Sequence, residues 1–157
     1  MSAASRSITT RHWVSADAPR SRPWWGHPLR HLAGPAFLAV VTLAFCWKLT
    51  VGGLVVIGYD TMTYMYPYRY FAAAALSEGR LPLWNPYIYF GVPFLANLQS
   101  AVFYPLHLIF LLRPPTEAMN WSVALHLFLA AYFTYLAARI VVGLDPASAA
   151  IAGAVYG

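Results

Sequence analysis

The chain has 157 residues, of which 60% are hydrophobic, 17% aromatic and only 10% charged, with a mean hydropathy of +0.55. A soluble domain is about 25% charged. This chain therefore lacks the polar side chains to cover a sphere of its own size, which argues against a soluble enzyme and, more strongly, against a disordered chain. The apolar residues fall in long runs, so lipid is the expected solvent for much of the chain.

The formal charge of +5 is unevenly placed. Arg6, Arg11, Arg20, Arg22 and Arg30 precede the first apolar run, opposed only by Asp17. A basic tail before an apolar segment reads as a cytoplasmic anchor. A nucleic-acid module would instead spread its basic residues through a folded face, so no nucleic-acid partner is expected. The lone Cys46 lies inside an apolar run and can form no intrachain disulfide.

Residues 1–32 are rich in Ser and Arg, with Pro19, Pro23 and Pro28, and read as a mobile cytoplasmic tail. The Trp24-Trp25 pair fits the headgroup level better than a cleaved presequence. His27 and His31 share one helix face if helical, but no further ligands accompany them. The first membrane span is expected over 33–57, interrupted by Lys48, whose ammonium can reach the interface.

Residues 58–117 form neither a plain loop nor a clean span. Tyrosines and prolines recur throughout, and the charges cancel: Arg69, Arg80 and Arg113 against Asp60, Glu78 and Glu117. Pro67 to Glu78 predicts a short helix, with Pro67 near its start and Gly79 at its stop. Leu81 to Pro93 is turn-rich. Ser100 to Leu112 is apolar but short and contains Pro105, the pattern of a re-entrant or interfacial segment.

A second span is expected over 118–140, bracketed by Glu117 and Arg139. It returns the chain to the cytoplasm and leaves 58–117 outside. A third apolar segment, 146–157, has about twelve residues, too few to cross a ~30 Å core at 1.5 Å per residue. The expectation is an all-α, multi-spanning fold with short helices in a large first outer loop, and a fragment of a larger protein. Nothing here alternates like a barrel strand.

Asp60 stands out, because a carboxylate at a membrane boundary is expensive unless solvated, paired or functional. From the residues alone it either caps the following turn, through the amides of Met62 or Thr63, or acts in chemistry. His107 and His126 lie in apolar segments without a further ligand at metal spacing and read as hydrogen-bonding histidines. No phosphate loop, dinucleotide fingerprint, zinc pattern or nucleophile elbow occurs.

Five blocks carry a family resemblance: Gly58-Tyr59-Asp60, Tyr66-Pro67, Gly79 to Tyr87 (with LPLWNPY), Gly91 to Ser100 (with PFLANLQS) and Phe103 to Leu106. Over roughly residues 35–157 the chain resembles the first outer loop and flanking spans of the YfhO-type bacterial membrane proteins, a family similar to the GT-C glycosyltransferases. The resemblance implies transfer of a sugar from a polyprenyl-phosphate donor to a cell-envelope glycan or lipid acceptor, on the outer face of the bacterial cytoplasmic membrane. It implies Asp60 as general base toward an acceptor hydroxyl. Some GT-C families use such acids to hold a divalent metal, but only one acid lies in this immediate loop.

Arg69 is then the candidate partner of the lipid-phosphate leaving group, or else an interfacial anchor. Asn85, Asn97 and Gln99 offer amides to sugar hydroxyls, or else close turns. Trp84 offers a stacking face, or else joins an interfacial belt. Two further readings stand beside the enzyme: a non-catalytic membrane module that binds a lipid-linked intermediate, and a fragment inactive by itself.

Overall fold

The computed structural model describes residues 28–157, with side chains from Leu32 onward. The basic tail through His27 lies outside the described residues. The Trp24-Trp25 pair and His27 belong to that part of the chain, so the proposed His27–His31 face lies outside the described side chains. The described chain is mostly helical, with one hairpin of two-residue strands: α1 (Pro28–Phe45), α2 (Trp47–Thr50), α3 (Tyr66–Ser77), β1 (Trp84–Asn85), β2 (Val92–Pro93), α4 (Ile109–Leu112), α5 (Pro115–Ala137) and α6 (Pro146–Tyr156).

Among the described residues, one helix is long and apolar enough to cross a membrane. It comprises α5 and a terminal π-helical turn, together Pro115–Val142, 28 residues whose most apolar 18-residue stretch has a mean hydropathy of 1.7. At 1.5 Å per residue it reaches ~42 Å, against ~30 Å of hydrocarbon. Gly143 ends it with φ +79, a conformation that costs glycine nothing. The next helix begins at once. Asp145 caps α6 by accepting from the Ala147 and Ser148 amides at 3.0 and 3.2 Å, with Pro146 in the first helical position.

The expected first span over 33–57 divides. Helix α1 runs to Phe45, Cys46 breaks the ladder at φ −88, ψ 10, and α2 ends at Thr50. Gly53 then turns left-handed at φ +71, and the Leu54 amide returns to the Lys48 carbonyl at 3.1 Å. Residues 53–58 are not helical, so the helix stops short of Ile57. β-Branched Val51, Val55, Val56 and Ile57 favour that extended path. It is fixed by Asn120 of α5, whose amide donates to Leu49 and Leu54 carbonyls and accepts from the Val56 amide.

Helices α1, α5 and α6 pack through small residues. Their core is Leu38, Ala131, Tyr135, Ala138, Ala149 and Ala150. A Cβ on Gly153 would lie 2.7 Å from the Ala131 carbonyl oxygen, so glycine permits this approach of α6 to α5. The second core lies in the segment between α2 and α5. Phe94 is fully buried there against Tyr68 and Ala72 of α3, a burial that stabilises by about 1.5–3 kcal/mol.

Helix α3 extends a helical path that starts at Tyr59. Residues Thr61–Met65 form a π turn, in which the Tyr66 amide reaches back to the Thr61 carbonyl. The cause is Pro67. It has no N–H to give, and its ring would crowd the carbonyl four residues back, so the ladder widens just before it. Gly79 closes the helix at φ +72. The apolar Ser100 to Leu112 segment is no single helix: it divides into 3₁₀ turns at Leu98–Ser100 and Pro105–Leu108, followed by α4.

Candidate functional site

The candidate residues fall into three places. Asp60 lies in the first turn of the Tyr59–Ser77 path, with an exposed side chain. Its backbone is already helical (φ −64, ψ −32) and its carboxylate makes no capping bond, so of the two readings offered for it the cap at Met62 or Thr63 is not formed. An N-cap needs extended backbone to aim its oxygen at those amides. Here the Met62 amide bonds the Gly58 carbonyl instead, at 3.0 Å. A carboxylate in a helix's first turn still benefits from the positive end of the dipole.

Arg69, Asn97 and Gln99 come together on one face of α3. The Arg69 guanidinium donates to the Ser100 carbonyl and, at 3.5 Å, to the Gln99 carbonyl. It is half-buried, and that burial lowers its pKa from the ordinary value; an arginine nonetheless stays charged. The Asn97 side chain accepts from the Gln99 amide at 3.0 Å, which caps the 3₁₀ turn. Its Nδ2 donates to the Tyr64 and Tyr68 hydroxyls at 3.2 and 3.3 Å. The Tyr64 hydroxyl in turn donates to Gln99 Oε1 at 2.6 Å. Burial and the neighbouring Tyr64 raise the Tyr68 pKa. The arrangement fixes one positive charge beside a chain of amides and phenols that bond one another.

Trp84 and Asn85 lie apart from these residues, on the hairpin. Asn85 closes the turn by accepting from the Tyr87 amide at 2.9 Å, and the residue is only 2% exposed. The Trp84 ring lies over Gly91, where a Cβ would come within 2.6 Å of it. The strands pair antiparallel, Trp84 opposite Pro93 and Asn85 opposite Val92. Phe94 stands between the two faces, 5.0 Å from the Tyr68 ring and 4.9 Å from Phe71.

A histidine pair adjoins the Arg69 face. His107 Nδ1 bonds the Ala101 carbonyl at 3.0 Å, and His126 Nδ1 bonds the Ser122 carbonyl at 2.6 Å. The Tyr104 hydroxyl bonds His126 Nε2 at 2.8 Å. Both histidines thus hydrogen-bond. Burial, then the charges of Arg69 and His126, lower the His107 pKa, against the opposing pull of its carbonyl bond. Among the described residues no three His, Cys, Asp or Glu side chains group as a metal site would require.

Sequence reasoning passed over Tyr64, Tyr68, Tyr104 and Asn120. The tyrosines were visible only as a composition bias, and the signal that selects Tyr64 and Tyr68 is their spacing of four on one helix face. Comparison with protein-family models, with curated proteins and with solved structures found no match.

Proposed function

We propose that this chain contributes the Asp60-bearing outer loop of a membrane glycosyltransferase of GT-C type. In this reading it is a multi-pass protein of a bacterial cytoplasmic membrane with a cytoplasmic basic tail. It moves a sugar from a polyprenyl-phosphate donor to a cell-envelope acceptor.

The observation that carries the reading is the placement of Asp60. Asn120, in the second turn of the spanning helix, holds the Val56 amide at 3.1 Å. Four residues later comes the exposed carboxylate, at most ~14 Å of extended chain away. An exposed acid is thereby tethered to the end of an apolar helix, where a lipid-linked donor and a water-soluble acceptor meet. Asp60 takes the proton of the acceptor hydroxyl as that oxygen attacks the anomeric carbon. The bond from that carbon to the lipid phosphate breaks, and the phosphate leaves with the electron pair. A positioned base contributes about 10²–10⁴ in rate. Arg69, pinned by two carbonyls, supplies fixed positive charge toward the phosphate.

That same pinning favours a second reading, in which the loop binds a lipid-linked intermediate without turnover. One experiment separates the two: transfer-competent protein carrying Asp60→Asn, with release of polyprenyl phosphate measured. The enzyme reading expects a loss of about two orders of magnitude or more with donor binding retained. Undiminished release removes Asp60 from the mechanism, and binding without release in the unsubstituted protein favours the second reading.

A further inference from the structure

The face of α3 turned away from Arg69 borders a groove of about 430 Å³, closed on its other side by the hairpin. Tyr70 and Phe71 form one wall and Tyr87 the other, with Glu78, Arg80 and Asn85 also lining it. Phe71 and Tyr87 meet edge to face at 6.1 Å. The volume lies in the range of roughly 300–1,000 Å³ that holds small organic ligands.

Asn85 makes this groove more than a surface dent. Its Oδ1 is used by the Tyr87 amide. Its Nδ2 has no hydrogen-bond partner among the described residues, although the residue is 98% buried (2% exposed) and lines the groove. A buried donor without a partner is destabilising, so it points to an acceptor supplied from outside. The ligand's class follows by elimination. Glu78 and Arg80 neutralise each other in an ion pair, Arg80 Nε to Glu78 Oε2 at 2.8 Å, so the groove carries no net charge to attract an ion. A wholly apolar ligand would leave Asn85 Nδ2 unpaired. A neutral ring with a C–H face for the aromatic walls and a hydroxyl edge for the amide and the ion pair satisfies every group.

We propose that this groove binds a neutral saccharide unit, separately from the Asp60 and Arg69 face. The assignment rests on the transferase reading for its role, as a seat for a sugar of the acceptor glycan other than the one that reacts at Asp60. Its test is binding, so it stands or falls independently of transfer.

The chain is reconstituted in phosphatidylcholine nanodiscs, and saturation-transfer NMR is recorded with the methyl glycosides of glucose, galactose, mannose and N-acetylglucosamine. At least one is expected to receive saturation on its ring C–H protons. Two variants test the site. Asn85→Asp keeps the oxygen that closes the turn and replaces the free donor. Tyr87→Ala removes a wall whose residue is 84% exposed, and so spares the core. Each is expected to weaken binding by about tenfold or more. Saturation of none of the four glycosides, or equal saturation in both folded variants, overturns the proposal.

Discussion

Asn120 donates its side-chain amide to the Leu54 carbonyl at 2.7 Å, across 66 residues of chain. The same amide holds the Leu49 carbonyl at 2.9 Å, while its oxygen receives the Val56 amide. One buried side chain thus satisfies the groups left where the helix ends. Substitution by Ala orphans all three, at roughly 1–3 kcal/mol for each group left without a partner. Asn120→Asp is expected to be worse, because a carboxylate then faces two carbonyls. Thermal unfolding in detergent should rank the variants wild type, Ala, Asp in falling stability. Proteolysis should open residues 51–57 first in both variants. An unchanged midpoint for Asn120→Asp would show that the anchor contributes nothing.

Gly153 sets the approach of α6 to α5. The Cβ of an alanine there would meet the Ala131 carbonyl oxygen at 2.7 Å and the Leu38 methyls at 3.1 and 3.3 Å. Backbone cannot rotate away as a side chain can, so the helices must part. Overpacking of this kind costs about 1–3 kcal/mol. Gly153→Leu should lower the unfolding midpoint more than Gly153→Ala. A cysteine pair placed across α5 and α6 should cross-link more slowly in both. Equal cross-linking rates would contradict this packing.

The legible parts of this fold are local ones. Pro115–Val142 announces itself by the long, mainly apolar run between Glu117 and Arg139, and α3 by the Pro67 and Gly79 punctuation at its ends. The stop at Thr50 is signalled only weakly, by Gly52-Gly53 and the β-branched residues after it, because its fixing partner is Asn120 far along the chain. The site was half legible for the same reason. Asp60, Arg69, Asn97 and Gln99 are chemically conspicuous as residue types. That Arg69 is held by the Ser100 carbonyl, and Asn97 by two phenols, depends on bonds spanning 29 to 33 residues. No periodicity encodes such pairings.

Tyr64 tests whether that network is structural. Its hydroxyl donates to Gln99 Oε1 and accepts from Asn97 Nδ2. Tyr64→Phe keeps the ring, which packs 4.1 Å from that of Tyr68, and removes both bonds. A loss of about 1–2 kcal/mol is expected, and the double substitution with Gln99→Ala should cost less than the sum of the singles. Full additivity in the cycle would show that the two side chains act independently.

His107 gives the loop a dependence on acid. Its pKa in the folded chain lies below the ordinary 6.5, chiefly because burial disfavours the imidazolium and then because Arg69 and His126 face it. Tyr104, the other titratable group against it, packs edge-on at 4.8 Å. The unfolded chain therefore binds a proton at His107 before the folded chain does. By linkage, the stabilisation is complete above 6.5 and falls as the pH drops from 6.5 through the depressed value. The unfolding midpoint of the wild type should fall over that window. His107→Asn, which keeps a polar group but cannot titrate there, should fall less steeply. Parallel pH profiles for wild type and His107→Asn would place the acid sensitivity elsewhere in the chain.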